Sequence, residues 1–153
     1  MALDYRNILT TITDLLIANT TTLDDSMTTS PRLITRGDPN NIPIQVTSYP
    51  AIVVQLSSKD EDFSQIGQRK KDITLNFNIY GLIQLSTNSD ASDREIQNFA
   101  RNIETVLRTS SGVVLSNTVL YTNPRTTTFD AAFKDGIWLS AVTINLECKI
   151  LTT

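Results

Sequence analysis

Ser92–Arg108, SDREIQNFARNIETVLR, is the stretch on which the fold turns. Ser92 followed by Glu95 has the spacing of a capping box, in which the hydroxyl accepts from the Glu95 amide and the carboxylate from the Ser92 amide. The spacing therefore predicts a helix starting at Ser92. Ile96, Phe99, Ala100, Ile103, Val106 and Leu107 fall on one stripe, and Arg94, Gln97, Asn98, Arg101, Asn102, Glu104 and Arg108 take the other side. Acids gather early (Asp90, Asp93, Glu95) and arginines late (Arg101, Arg108), as the helix dipole prefers, and Ser110, Ser111 and Gly112 supply a stop. Full burial of the stripe would contribute on the order of 10 kcal/mol of gross transfer free energy, before ordering entropy is subtracted. Something must cover it.

Before this helix, Asp4 is placed to cap another, with Tyr5, Ile8, Leu9, Ile12, Leu15 and Leu16 at the same offsets and Asn19 at its end. Ala51–Ser57, AIVVQLS, reads as a strand entered through Pro50, with Ile52, Val54 and Leu56 on one face. Asp72–Leu82 alternates more cleanly: Ile73, Leu75, Phe77 and Ile79 face one way, and Thr74, Asn76, Asn78 and Tyr80 the other. Ser58–Lys71 joins them, acidic first and basic last, and predicts an extended hairpin with a charged tip. After the capped helix, Val113–Thr122 holds a strand that Asn123 and Pro124 should break. Thr126–Lys134 is expected to extend the following hairpin, with Lys134–Gly136 as its turn. Ile137–Ile150 is the longest alternation, with Val142, Ile144, Leu146, Cys148 and Ile150 on one face, and should be central. The expected fold class is α+β, in the order α-β-β-α-β-β: a mainly antiparallel sheet of four strands or slightly more, with two helices packed on one face.

The segment from about Thr20 to Ser48 has no sustained period and carries Pro31, Pro39, Pro43 and Gly37. It reads as a long irregular arm on a single domain spanning residues 1–153, either a surface loop or an arm that orders against a partner. Ile42, Ile44 and Val46 alternate within it, but Pro43 confines that piece to a sheet edge or an extended arm.

Length and charge narrow the function. One domain of 153 residues with 13 basic and 16 acidic side chains exerts no global pull on nucleic acid or anionic membrane. No apolar run approaches the roughly 20 residues needed to span a bilayer, and MALDYRN lacks a basic segment followed by an apolar one. The reading is a soluble protein made in the cytoplasm. With no histidine, Ser-His-Asp and Cys-His catalysis cannot be assembled, and the single cysteine, Cys148, shares the parity of the core residues of its strand. The five glycines stand apart, so neither a phosphate loop nor a dinucleotide fingerprint can be drawn, and no cofactor is expected.

Candidate residues remain in the hairpin and the arm. Asp60, Glu61 and Asp62 could hold a hard cation through oxygen, but Gln65 stands where a calcium loop needs glycine, and a solvated tip is the simpler reading. Asp24 and Asp25 are read the same way. Arg69, Lys70 and Lys71 form the one basic run; it balances the acids of Lys59–Asp62 across the hairpin, contacts phosphate, or docks against a neighbouring copy. Trp138 has core parity, with an interface as the alternative. Thr74, Asn76, Asn78, Tyr80, Thr143 and Asn145 make an uncharged hydrogen-bonding surface suited to a protein interface.

The order of elements, with YPAIVVQL, the charged hairpin, DITLNFNIYGL, the SDREIQNFARNIETVL helix and the final WLSAVTINLECKI strand, resembles the tail terminator (tail-completion) proteins of tailed bacteriophages. The resemblance covers about Tyr5 to Ile150. It implies a non-enzymatic virion protein at the tail-neck junction, forming a ring, usually hexameric. Such a ring caps the tail tube, ends its polymerisation and meets the head connector, with the sheath as a further partner in contractile tails. The resemblance places the contacts of such a ring in the arm and the hairpin tip. The residues expected to make them are Lys59, Asp60, Glu61 and Asp62 and Arg69, Lys70 and Lys71, with an ordering arm from Pro31 and Arg32 to Ile42 and Ile44. No membrane and no sequence-specific nucleic acid is implied. The alternatives are another neck or tail subunit (head-closure, tail-joining or tail-tube protein), a carboxylate-only metal-dependent hydrolase, and a monomeric small-ligand module.

Overall fold

The structure, a computed structural model, describes residues 4–38, 49–65, 70–84, 89–109, 113–115, 118–134 and 137–152. Apolar alternation and apolar stripes meet in one core. The helices are α1 (Tyr5–Ala18), α2 (Thr20–Leu23) and α3 (Ser89–Thr109). The strands are β1 (Leu33–Arg36), β2 (Ala51–Gln65), β3 (Lys70–Gln84), β4 (Val113–Leu115), β5 (Thr118–Lys134) and β6 (Ile137–Thr152). The strands form one sheet in the order β1-β2-β3-β6-β5-β4. β1 runs parallel to β2, and every other pair is antiparallel.

The register explains why both helices lie on the same side. Val54 sits opposite Ile79, which sits opposite Ile144; Phe77 sits opposite Leu146, and Leu75 opposite Cys148. Directly opposed residues share a face, so these rows form one apolar surface. It packs with Ile8, Leu9, Ile12 and Leu16 of α1, and with Ile96, Phe99, Ala100, Ile103, Val106 and Leu107 of α3, in a single cluster. The α3 stripe read from the sequence is thus wholly buried. Gly81 allows α3 its close approach: a Cβ there would lie 2.8 Å from Val142 Cγ1 and 3.1 Å from Phe99 Cε2.

Four details depart from the sequence reading. First, α3 begins at Ser89, not Ser92, and the Glu95 carboxylate accepts from the Thr28 amide at 2.8 Å and the Thr28 hydroxyl at 3.0 Å. Second, the arm is not irregular throughout. Leu23 at the end of α2 is fully buried, and Leu33–Arg36 joins the sheet as β1, with the Arg32 amide donating to Pro50 O at 2.8 Å. The short parallel partner was invisible because four residues carry too little alternation to register. The Ile42, Ile44 and Val46 alternation lies outside the described residues.

Third, Pro124 does not end a strand. β5 runs through it with a register shift between Pro124 and Thr126, a bulge that tolerates the missing amide. Fourth, the polar side of α3 is not simply wet. Asn102 is 2% exposed and donates to the carbonyls of Leu23 at 2.9 Å and Asp25 at 2.8 Å. Asn98 donates to Ser26 O at 3.2 Å, and Arg101 lies 3.5 Å from Asp25. Ser26 has φ 60, a left-handed turn, and α3 holds it in place. Sequence reasoning had no signal for this, since the carbonyls that Asn102 satisfies come from residues far away in the chain.

Candidate assembly interface

The hairpin of β2 and β3 carries most of the residues singled out in the sequence. A strand sends successive side chains to opposite faces, so the run Lys59–Glu61 divides. Lys59, opposite Leu75, lies on the helix side, with its Nζ 2.7 Å from Glu61 Oε1 and 5.9 Å from the Tyr5 ring centroid. The Glu61 carboxylate, followed by the Tyr5 hydroxyl, raises the Lys59 ammonium pKa above its ordinary value. Asp60, opposite Thr74, lies on the other face, where Asn76 Nδ2 donates to it at 3.2 Å. Lys59 and Asp60 therefore lie on opposite faces of the sheet, with Glu61 beside Lys59 and also at the border of the surface that carries Asp60.

The backbone register sets which residues of the hairpin stand directly opposite one another. Lys70 pairs with Gln65 and Lys71 with Phe63, while Glu61 faces Ile73 and Asp62 faces Asp72. With the bulges between Leu56 and Ser58 and between Phe63 and Gln65, neither Lys70 nor Lys71 stands directly opposite an acid of β2. Asp62, Lys70 and Lys71 are described in their backbone alone, and Arg69 lies outside the described residues.

The sheet face away from the helices joins Asp60 to a broad polar surface. Asn76 Nδ2 donates to Ser58 Oγ at 3.0 Å, and the Tyr80 hydroxyl donates to Gln55 Oε1 at 3.1 Å. Glu147 and Lys149 of β6 follow across the register, and Arg125, projected by the β5 bulge, meets Glu147 Oε2 at 2.8 Å. Asp60, Glu61, Thr74, Arg125, Glu147 and Lys149 border a shallow polar depression of about 400 Å³. The uncharged centre of this face follows the sequence reading. Its far end does not: Tyr49, Ala51, Leu82 and Leu139 form a second, smaller apolar cluster with Leu33 beside it.

Pro31 is half-buried and Arg32 exposed. Arg32 borders a half-open cleft of about 300 Å³ with Thr28, Tyr49, Gln84, Ser92 and Glu95, where the chain enters α3. Glu95 is already engaged by Thr28 there. Cys148 is fully buried, and burial pushes its thiol pKa up to about 12, which makes it a poor nucleophile. Among the described residues there is no group of three acidic or cysteine side chains placed to hold a metal ion, and no helix is long and apolar enough to cross a membrane. The Trp138 side chain lies outside what is described.

No protein-family profile matches the sequence, and no curated protein matches it. Among solved structures 32 chains match the fold. One is a chain of the "virion of native gene transfer agent (GTA) particle", with a TM-score of 0.56 and 12% sequence identity, over 91% of this chain and 90% of that one. At that identity the likeness is one of fold.

Proposed function

We propose that the chain is a structural subunit of a phage-like virion and, within it, a tail terminator: a ring, hexameric as the family resemblance implies, that caps the tail tube. The observation that carries the reading is the fold shared with a chain of a gene transfer agent virion over nine-tenths of both molecules. The order of elements that resembles tail-completion proteins supports the finer assignment. The mechanism is geometric. A closed ring uses a heterologous interface whose rotation returns on itself, and its two ends differ. One end matches the tube; the other offers no surface on which a further tube layer could seat, and is free for the head connector. Growth stops for want of a matching surface, and no chemistry is needed.

Mass by light scattering, followed by negative-stain images of the purified protein, tests this. A ring that does not extend into tubes and that binds one end of added tail tubes is the expected result. Extension into long tubes would assign the chain to the tube itself. A lone subunit at working concentration, still alone when offered tubes, would overturn the capping role.

A further inference from the structure

Among the described residues the sheet has two edges, and β5 leaves a long one open. β4 pairs with Thr118–Leu120 alone, and beyond Leu120 no strand among the described residues lies on the outer side of β5. The Ala131 amide donates to the Asp130 side chain at 2.8 Å, which places it on the outer side of β5, away from β6. By the alternation of an antiparallel ladder, the backbone groups of Phe129 and Thr127 point the same way. Edges are commonly protected by proline, bulges or lysine. Here Pro124 and the bulge guard only the start, and Thr126–Ala131, TTTFDA, has no basic residue and no proline.

The opposite edge is β1. Across the sheet β1 and β2 run together, β3 opposes them, β6 opposes β3, and β5 opposes β6. β5 therefore runs opposite to β1. A second copy set beside the first, with its sheet facing the same way, brings its β1 antiparallel to the open edge of β5. The helix layer supports the same placement. Phe129, opposite Val142, is on the helix side at the β5 edge and is 51% exposed. Ile17 is 49% exposed, and it shares a stripe of α1 with Thr10, whose hydroxyl accepts from Arg36 of β1 at 3.0 Å. Ile17 is thus on the β1 side of that layer. Within the open stretch Thr126–Ala131 the one charged residue is Asp130, and Glu104 of α3 accepts from Thr127 beside it, whereas Arg32 precedes β1 and Arg36 ends it.

We propose that the open edge of β5 at Thr126–Ala131 receives β1 of a second copy of this chain, so that the sheet continues from subunit to subunit and Phe129 and Ile17 cover each other. This rests on the ring reading and supplies its interface. The test uses the full chain carrying Thr35→Cys, Thr128→Cys or both, treated with a short bismaleimide. Both positions lie on the sheet face away from the helices, opposite Val53 and Thr143. Cys148 is buried and stays in place. The double variant should give a ladder of linked multimers, each single variant none, and a mixture of the two singles a linked dimer. Adding Phe129→Lys or Ile17→Lys should lower the linked fraction at least tenfold at an unchanged melting temperature. Linkage of Thr128→Cys alone would overturn the proposal in favour of a two-fold β5 contact. Ring-sized mass without any linked ladder would overturn the edge pairing and leave the ring intact. A lone-subunit mass would overturn the ring itself.

Discussion

Asn102 donates from its side-chain amide to the main-chain carbonyl of Leu23, 79 residues earlier in the chain, at 2.9 Å. The same amide satisfies Asp25 O, so one buried side chain closes the turn that carries the chain from α2 towards β1. Asn102→Ala would strand both carbonyls away from that donor. Loss of about 1–3 kcal/mol of stability is expected, read as a lower urea midpoint at an unchanged slope. Asn102→Leu, which has similar size and no donor, should do no better.

Gly81→Ala tests the packing of α3 on the sheet. The added methyl would meet Val142 at 2.8 Å, Phe99 at 3.1 Å and Ile103 at 3.2 Å, all held in the core. Overpacking of this kind costs about 1–3 kcal/mol, and a thermal melt should show it. Gly37→Ala, with nothing within 4 Å but a φ of +123, should be destabilising for the different reason of backbone strain.

Cys148 makes stability fall at alkaline pH. Its thiol pKa is raised from 9.0 to about 12 by burial, so the folded state keeps a proton that the unfolded chain gives up. The contribution is fully present below pH 9.0 and is lost as pH rises towards 12. Denaturant midpoints measured across that range should drop more steeply for the native sequence than for Cys148→Ala, whatever the substitution costs at neutral pH. A thiol reagent should label the native protein only as it unfolds.

Arg69→Glu, Lys70→Glu and Lys71→Glu together should weaken ring formation and joining to tubes while leaving the circular dichroism melt in place. Lys70 and Lys71 do not stand directly opposite the acids of β2, so their reversal removes no directly opposed ion pair. Unchanged ring formation and tail joining would remove this run from the interface.

Much of the fold was legible because periodicity reports burial directly. The α3 stripe, the α1 stripe and the alternation of Leu75, Phe77 and Ile79 or of Val142, Ile144 and Leu146 each name the residues that meet in the core. Asp4 was legible as a cap, and it accepts from the Asn7 amide at 3.0 Å. The capping box at Ser92 and Glu95 was a local pattern that lost to a distant partner, Thr28. The candidate site was less legible. Lys59, Asp60 and Glu61 are neighbours in the chain, yet the pleat sends them to different faces, and two bulges decide which residue of β3 each one meets.

What the chain determined by itself is the identity of the buried faces, because a side chain's aversion to water and the periods of helix and strand are local properties. Which elements sit side by side is not local. The parallel docking of β1, the passage of β5 through Pro124, the hold of Asn102 on Leu23 and the opening of one sheet edge all depend on pairings between segments far apart. Those pairings are chosen by the shared core, once every apolar face must be covered at the same time.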